Sequence, residues 1–112
     1  MNITVTKNPH PGTLPPSDQL GFGTVFTDHM FVMDYTEQDG WHNARVQPYQ
    51  NFSMDPACVV LHYGQTIFEG LKAYRRADGG IQTFRPRDNF RRMNKSADRL
   101  CIPQFDVELA MA

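Results

Sequence analysis

Leu71-Lys72-Ala73-Tyr74-Arg75-Arg76, Ala77-Asp78-Gly79-Gly80 and Ile81-Gln82-Thr83-Phe84-Arg85, closed by Pro86, form the stretch on which the fold turns. Two runs of alternating residues flank a turn whose glycines permit positive φ, so residues 71–85 predict a β-hairpin. After Pro86 the period changes. Phe90, Met93, Ala97 and Leu100 recur every three or four residues and make one apolar helical face, with Arg87, Arg91, Lys95 and Arg99 mostly off it. Cys101-Ile102-Pro103 ends that helix. A hairpin followed directly by an amphipathic helix predicts an α+β fold, with antiparallel strands and packed helices.

Toward the N-terminus, residues 26–35 are aromatic and apolar on both parities, which predicts a strand covered on both faces. Gln38-Asp39-Gly40 turns the chain, and residues 41–49 alternate loosely through Ala44, Val46 and Pro48. They predict the return strand, near a sheet edge because of its proline. Asp55-Pro56 predicts the cap of a short helix that carries Val59, Val60, Tyr63 and Phe68 inward. Residues 8–18 hold Pro9, Pro11, Gly12, Pro15 and Pro16, so residues 1–19 read as a proline-rich arm and residues 20–112 as the ordered part. Asp106 heads a final helix that stops after about one and a half turns with no C-cap, as in a chain cut inside an element.

The 112 residues include 11 Lys+Arg against 12 Asp+Glu, for a net charge of −1, with 40% apolar residues. A chain of this size buries only about two-thirds of the surface its unfolded form exposes, enough for one modest core. The balanced charge supplies no bulk attraction for nucleic acid, and no apolar run approaches a bilayer span, so neither nucleic acid nor membrane is expected as a partner. With no export signal legible, the cytoplasm is the expected location. Cys58 and Cys101 have no zinc-finger partners and read as reduced, buried thiols.

The histidines His10, His29, His42 and His62 offer no metal-ligand spacing, so no metal is expected. Nucleotide-binding loops are absent too, since Gly21-Phe22-Gly23 alone is not a fingerprint. Arg92 borders the apolar face of its helix one position before Met93. It could be a solvated arginine or a bidentate phosphate ligand. Tyr63 and Phe68, bracketed by Gly64 and Gly70, could be core residues or rings set against a small ligand. Lys72 could act as a Schiff-base amine only if desolvated, yet in the hairpin it shares a face with Tyr74 and Arg76.

Longer blocks carry a resemblance. Gly21-Phe22-Gly23-Thr24-Val25-Phe26-Thr27-Asp28-His29-Met30, Arg45-Val46-Gln47-Pro48-Tyr49, Leu61-His62-Tyr63-Gly64-Gln65-Thr66-Ile67-Phe68-Glu69-Gly70-Leu71-Lys72-Ala73-Tyr74, and Phe84-Arg85-Pro86 with Arg91-Arg92-Met93 resemble the N-terminal part of branched-chain amino acid aminotransferases. These are fold-type IV pyridoxal-phosphate enzymes that exchange an amino group between leucine, isoleucine or valine and 2-oxoglutarate. The resemblance implies a homodimer of subunits with a small and a large domain, of which residues 20–112 match an incomplete small domain. By motif, Arg92 corresponds to the arginine on the cofactor phosphate, and Phe22, Tyr63 and Phe68 to the aromatic wall around the substrate side chain. None of Lys7, Lys72 or Lys95 matches the Schiff-base lysine, which the family places beyond this stretch. The chain alone is therefore expected to be inactive, without catalytic residues of its own, and to self-associate through uncovered apolar surface. The alternatives are a non-catalytic dimerisation or ligand-binding module, or a related fold-type IV enzyme, a D-amino acid transaminase or aminodeoxychorismate lyase.

Overall fold

A computed structural model describes residues 2–112, which fall into two compact units that divide between Ser53 and Met54. The architecture is α+β, as the sequence predicts.

The first unit is built on a three-stranded sheet in the order β1-β3-β2, from β1 (Thr4–Val5), β2 (His29–Thr36) and β3 (Gly40–Pro48). β2 and β3 pair antiparallel from His29 opposite Pro48 to Thr36 opposite Gly40, with a register shift between Val32 and Asp34. The turn between them is the one read from Gln38-Asp39-Gly40. The Asp39 amide donates to Thr36 Oγ1 at 3.0 Å, and Gly40 adopts a φ of +65° that a side chain would disfavour. Beside the turn, Tyr35 and Trp41 meet edge to face at 5.2 Å as a cross-strand pair.

The edge position expected for residues 41–49 is corrected. β3 is central, because Thr4 and Val5 pair parallel with Arg45 and Val46 on its other side. Pro48 is tolerated there because it is the last residue of the strand, where its missing N–H interrupts nothing. Residues 26–35 are also not covered on both faces, since Phe31 and Tyr35 are exposed. The proline-rich segment is tethered to the start of β2: the Gly12 amide donates to both carboxylate oxygens of Asp28 at 3.1 Å, and the Asn8 amide to Nε2 of His29 at 2.8 Å.

The second unit contains α1 (Val59–His62), the hairpin of β4 (Ala73–Arg75) and β5 (Ile81–Thr83), α2 (Pro86–Arg99) and α3 (Val107–Met111). The hairpin pairs Ala73 with Thr83 and Arg75 with Ile81, about a turn in which Gly79 has a φ of +84°. α2 starts at Pro86, where a missing N–H is harmless. It ends in a Schellman arrangement: the Ile102 amide donates to Ala97 O at 2.9 Å and the Cys101 amide to Asp98 O at 3.3 Å, with Cys101 left-handed at a φ of +55°. α3 begins as expected, its Glu108 amide donating to Asp106 Oδ1 at 2.9 Å. Asn94 clamps the approach to it, donating to Phe105 O at 2.8 Å and accepting the Phe105 amide at 3.1 Å.

The helix expected after Asp55-Pro56 is corrected. Only one turn forms, capped at Cys58, and Val59, Tyr63 and Phe68 stand exposed. The Asp55 side chain accepts the Ala57 amide at 2.7 Å, a local turn that competes with helix initiation. The thiols are free, but neither is buried as expected: Cys58 is half-buried and Cys101 exposed. The single core expected is absent as well: among the described residues the fully buried hydrophobic ones are Ala44 in β3 and Ala97 in α2. The chain exposes 9401 Å². Even two separate folded bodies of half its mass would together expose only about 7,600 Å². No helix of the described residues is long and apolar enough to cross a membrane.

Candidate functional site

The site is a strap of chain laid along a helix. Residues 63–72 leave α1 and run beside α2, because polar groups of the strap find partners on the helix at two places. At the C-terminal end of α2, Nε2 of Gln65 donates to Leu100 O at 2.7 Å. Nearer its N-terminal end, Glu69 meets Arg92 and Asn89. Arg92 Nε donates to Glu69 Oε2 at 3.2 Å and Nη2 to Oε1 at 2.7 Å, the two-point geometry typical of guanidinium and carboxylate. Oε1 also accepts Asn89 Nδ2 at 3.1 Å and the Gly70 amide at 3.1 Å, and Asn89 Nδ2 donates to Gly70 O at 2.5 Å.

Electrostatics follow from this contact. The Arg92 hydrogen bond holds the Glu69 carboxyl below its ordinary value of 4.5, against a smaller opposing effect of burial. Glu69 in turn raises Arg92 further. The Glu69 side chain is mostly buried, with 17% of it exposed, whereas the Arg92 side chain remains 58% exposed. Arg92 therefore stands at a border with solvent on one side.

Beside it opens a cavity of about 370 Å³, lined by Lys72, Tyr74, Phe84, Arg85, Asn89 and Arg92 among others. Of its cations, Arg85 is paired with Asp88 and Arg92 with Glu69, while Lys72 has no ion pair among the described residues. Such a donor set fits an oxyanion, and the aromatic rings of Tyr74 and Phe84 give the cavity apolar wall. A wider depression of about 850 Å³ beside α2, lined by Arg91, Lys95, Arg99, Gln104 and Val107, contains none of this constellation.

Of the residues singled out in the sequence, Tyr63, Phe68 and Arg92 lie in the second unit and Phe22 in the first. Tyr63 and Phe68 are not packed into a core; they are 86% and 92% exposed, on the same strap that holds Glu69. Phe22 is fully exposed in a turn whose Gly23 has a φ of +69°. Lys72 lines the cavity, but at the end of the strap rather than in a desolvated pocket. Glu69 and Asn89 carry no role in the sequence reading, although Glu69 stands inside a quoted block. The available signal is a carboxylate in an otherwise apolar and glycine-rich stretch, Ile67 to Leu71, which needs a cation from elsewhere.

No family model matches the chain. Curated proteins do. The chain is 56% identical over 108 residues to branched-chain-amino-acid aminotransferase 2 of Bacillus subtilis (strain 168), a match that covers 96% of this chain and 29% of that protein. It is 50% identical over 113 residues to a branched-chain-amino-acid aminotransferase of Mycolicibacterium smegmatis, covering 97% and 31%. It is 47% identical over 106 residues to the cytosolic branched-chain-amino-acid aminotransferase of Saccharomyces cerevisiae, covering 95% and 28%. The chain thus spans about three-tenths of the length of the curated relatives it matches.

Proposed function

We propose, from the premise that this chain is homologous to part of the branched-chain-amino-acid aminotransferases, that it supplies the phosphate handle and part of the side-chain pocket of such an enzyme. The reaction is transfer of an amino group between leucine, isoleucine or valine and 2-oxoglutarate. Residues 20–112 serve as part of a small domain that a larger domain completes, with residues 1–19 as an arm. The observation that carries the reading is the sequence identity; the Arg92 cradle supports it independently, because it presents a guanidinium to an open, cation-lined cavity.

The cofactor of this reaction is pyridoxal phosphate, which when bound supplies the electron sink that amino-group transfer requires. Arg92 would hold its phosphate, and its guanidinium, with Lys72 as a second cation at the cavity wall, suits a dianion. By motif, Phe22, Tyr63 and Phe68 would each contribute aromatic surface to the branched side-chain pocket of the assembled enzyme. Burying such a side chain is worth roughly 1.5–3 kcal/mol, and it has no polar group to be recognised by. No catalytic residue is assigned to this chain, because none of Lys7, Lys72 and Lys95 is proposed as the Schiff-base lysine. The cytoplasm, a reducing compartment compatible with two free thiols, is where we place the protein.

The decisive experiment is a pyridoxal phosphate titration of the purified 112-residue chain with borohydride trapping and peptide mapping. The expected result is no turnover and only slow, scattered lysine labelling. A specific adduct at Lys72 with turnover would sink the reading.

A second property concerns association. Phe22, Phe26, Phe52, Tyr63, Phe68, Ile81 and Phe84 are all more than half exposed, and the accessible area exceeds that of self-contained folded bodies. We infer that the chain associates with copies of itself. Sedimentation at micromolar concentration should show species larger than a monomer; a single well-folded monomer would refute it.

A further inference from the structure

Glu69 is the most highly connected carboxylate of the described hydrogen bonds in the second unit, and it lies on the strap while every side chain it touches lies on α2. A guanidinium carries five N–H donors in one plane. Glu69 takes two of them, on the Nε side of Arg92, and so fixes the plane as well as the position. The carboxylate cannot swing with the arginine, because its Oε1 is also tied to the Gly70 amide and Asn89 Nδ2. What remains on Arg92 is the opposite edge, with both Nη1 protons and the second Nη2 proton, enough for a two-point contact with another oxyanion. The exposed 58% of the arginine side chain leaves room for such a contact.

We propose that Glu69 is a positioning residue that grips Arg92 by its Nε edge and thereby presents the Nη edge to a phosphate ester. This rests on the reading of Arg92 as a phosphate handle. It adds that the carboxylate and the phosphate share the guanidinium rather than compete for it. It also adds a mechanical link: Phe68 precedes Glu69 in the chain, so this one ring and the phosphate handle share a clamp.

The two arrangements differ in which edge an anion touches, which nuclear magnetic resonance of the arginine-labelled, glutamate-labelled 112-residue chain can read, with inorganic phosphate as the probe. In the unmodified chain, phosphate should shift the Arg92 Nη resonances and leave Nε–H and the Glu69 carboxyl carbon unmoved. In Glu69→Gln, phosphate should move to the vacated edge and shift Nε–H. Glu69→Asp, which keeps the charge, should restore the original pattern at least in part, and it covers the case in which Glu69→Gln fails to fold. If phosphate in the unmodified chain shifts Nε–H and the Glu69 carboxyl together, the carboxylate is a displaced competitor and the proposal is overturned, although Arg92 remains a phosphate ligand. If phosphate shifts neither edge of Arg92 while Nε–H still responds to Glu69→Gln, the handle reading itself fails, and the positioning role falls with it.

Discussion

The two units hold themselves together in different ways. In the first unit the backbone does most of the work: β2 and β3 pair along nearly their whole length, and Asp34 is satisfied by neighbours on the adjoining strand, with Arg45 Nη1 at 2.8 Å and Asn43 Nδ2 at 2.7 Å. In Met54–Ala112 the elements are short apart from α2, and side chains join them: Gln65 to Leu100, Glu69 to Arg92, Asn94 to Phe105, Arg87 to Glu108. A ladder between strands is satisfied locally whatever surrounds it. A strap held by single side chains depends on each of them, and it is the strap that carries the candidate site. The difference teaches that a paired ladder spreads its support over many backbone groups, whereas the candidate site hangs on a few side-chain contacts that single substitutions can remove.

The largest expected effect tests whether the division is real. Ala44→Asp and Ala97→Asp each place an unpaired charge in a fully buried position, at a cost of about 3 kcal/mol or more. In amide hydrogen exchange, Ala44→Asp should strip protection from β2 and β3, and Ala97→Asp from α2. Loss of protection across both units from either substitution would break the comparison.

A smaller effect is expected at the start of α3. Asp106→Ala removes the side chain that accepts the Glu108 amide, which costs about 1 kcal/mol, enough to fray a five-residue helix. Exchange at Ala110 should accelerate while the amides of β3 stay unchanged.

The smallest effect compares the two carboxylates in acid. Hydrogen bonds from Arg45 and then Asn43 hold Asp34 below its ordinary 3.8, and the hydrogen bond from Arg92 holds Glu69 below 4.5. Because both are depressed on folding, each contact contributes fully above the ordinary value and is lost as pH falls through the lower, folded value. Carboxyl carbon titrations should give both midpoints on the acid side of 3.8 and 4.5 respectively. Losing the Glu69 contact should release residues 63–72, whereas losing the Asp34 contact should leave the β2–β3 ladder intact.

Much of the fold was legible locally. Ala77-Asp78-Gly79-Gly80 between alternating residues specifies a hairpin, Pro86 followed by Phe90, Met93 and Ala97 specifies a helix, and Asp106 specifies a cap, because each signal acts within a few residues of its own backbone. The helix after Asp55-Pro56 stops at one turn and does not face inward, because the cap chemistry is present without a buried surface to pack against. The central position of β3 is not legible locally, because its second partner, Thr4–Val5, is about forty residues away in sequence and no local pattern encodes a parallel pairing.

At the site the same boundary holds. The sequence by itself determined that Arg92 sits at the border of an amphipathic helix and that Tyr63 and Phe68 lie in a glycine-bracketed stretch, since helical periodicity and glycine geometry are properties of neighbouring residues. Only the tertiary structure decided that Glu69, twenty-three residues earlier, grips the Nε edge of that arginine with Asn89 and Gly70 locking the grip. Ion pairing depends on distance in space, and a carboxylate quoted in a motif acquires its partner only when the strap folds back along the helix.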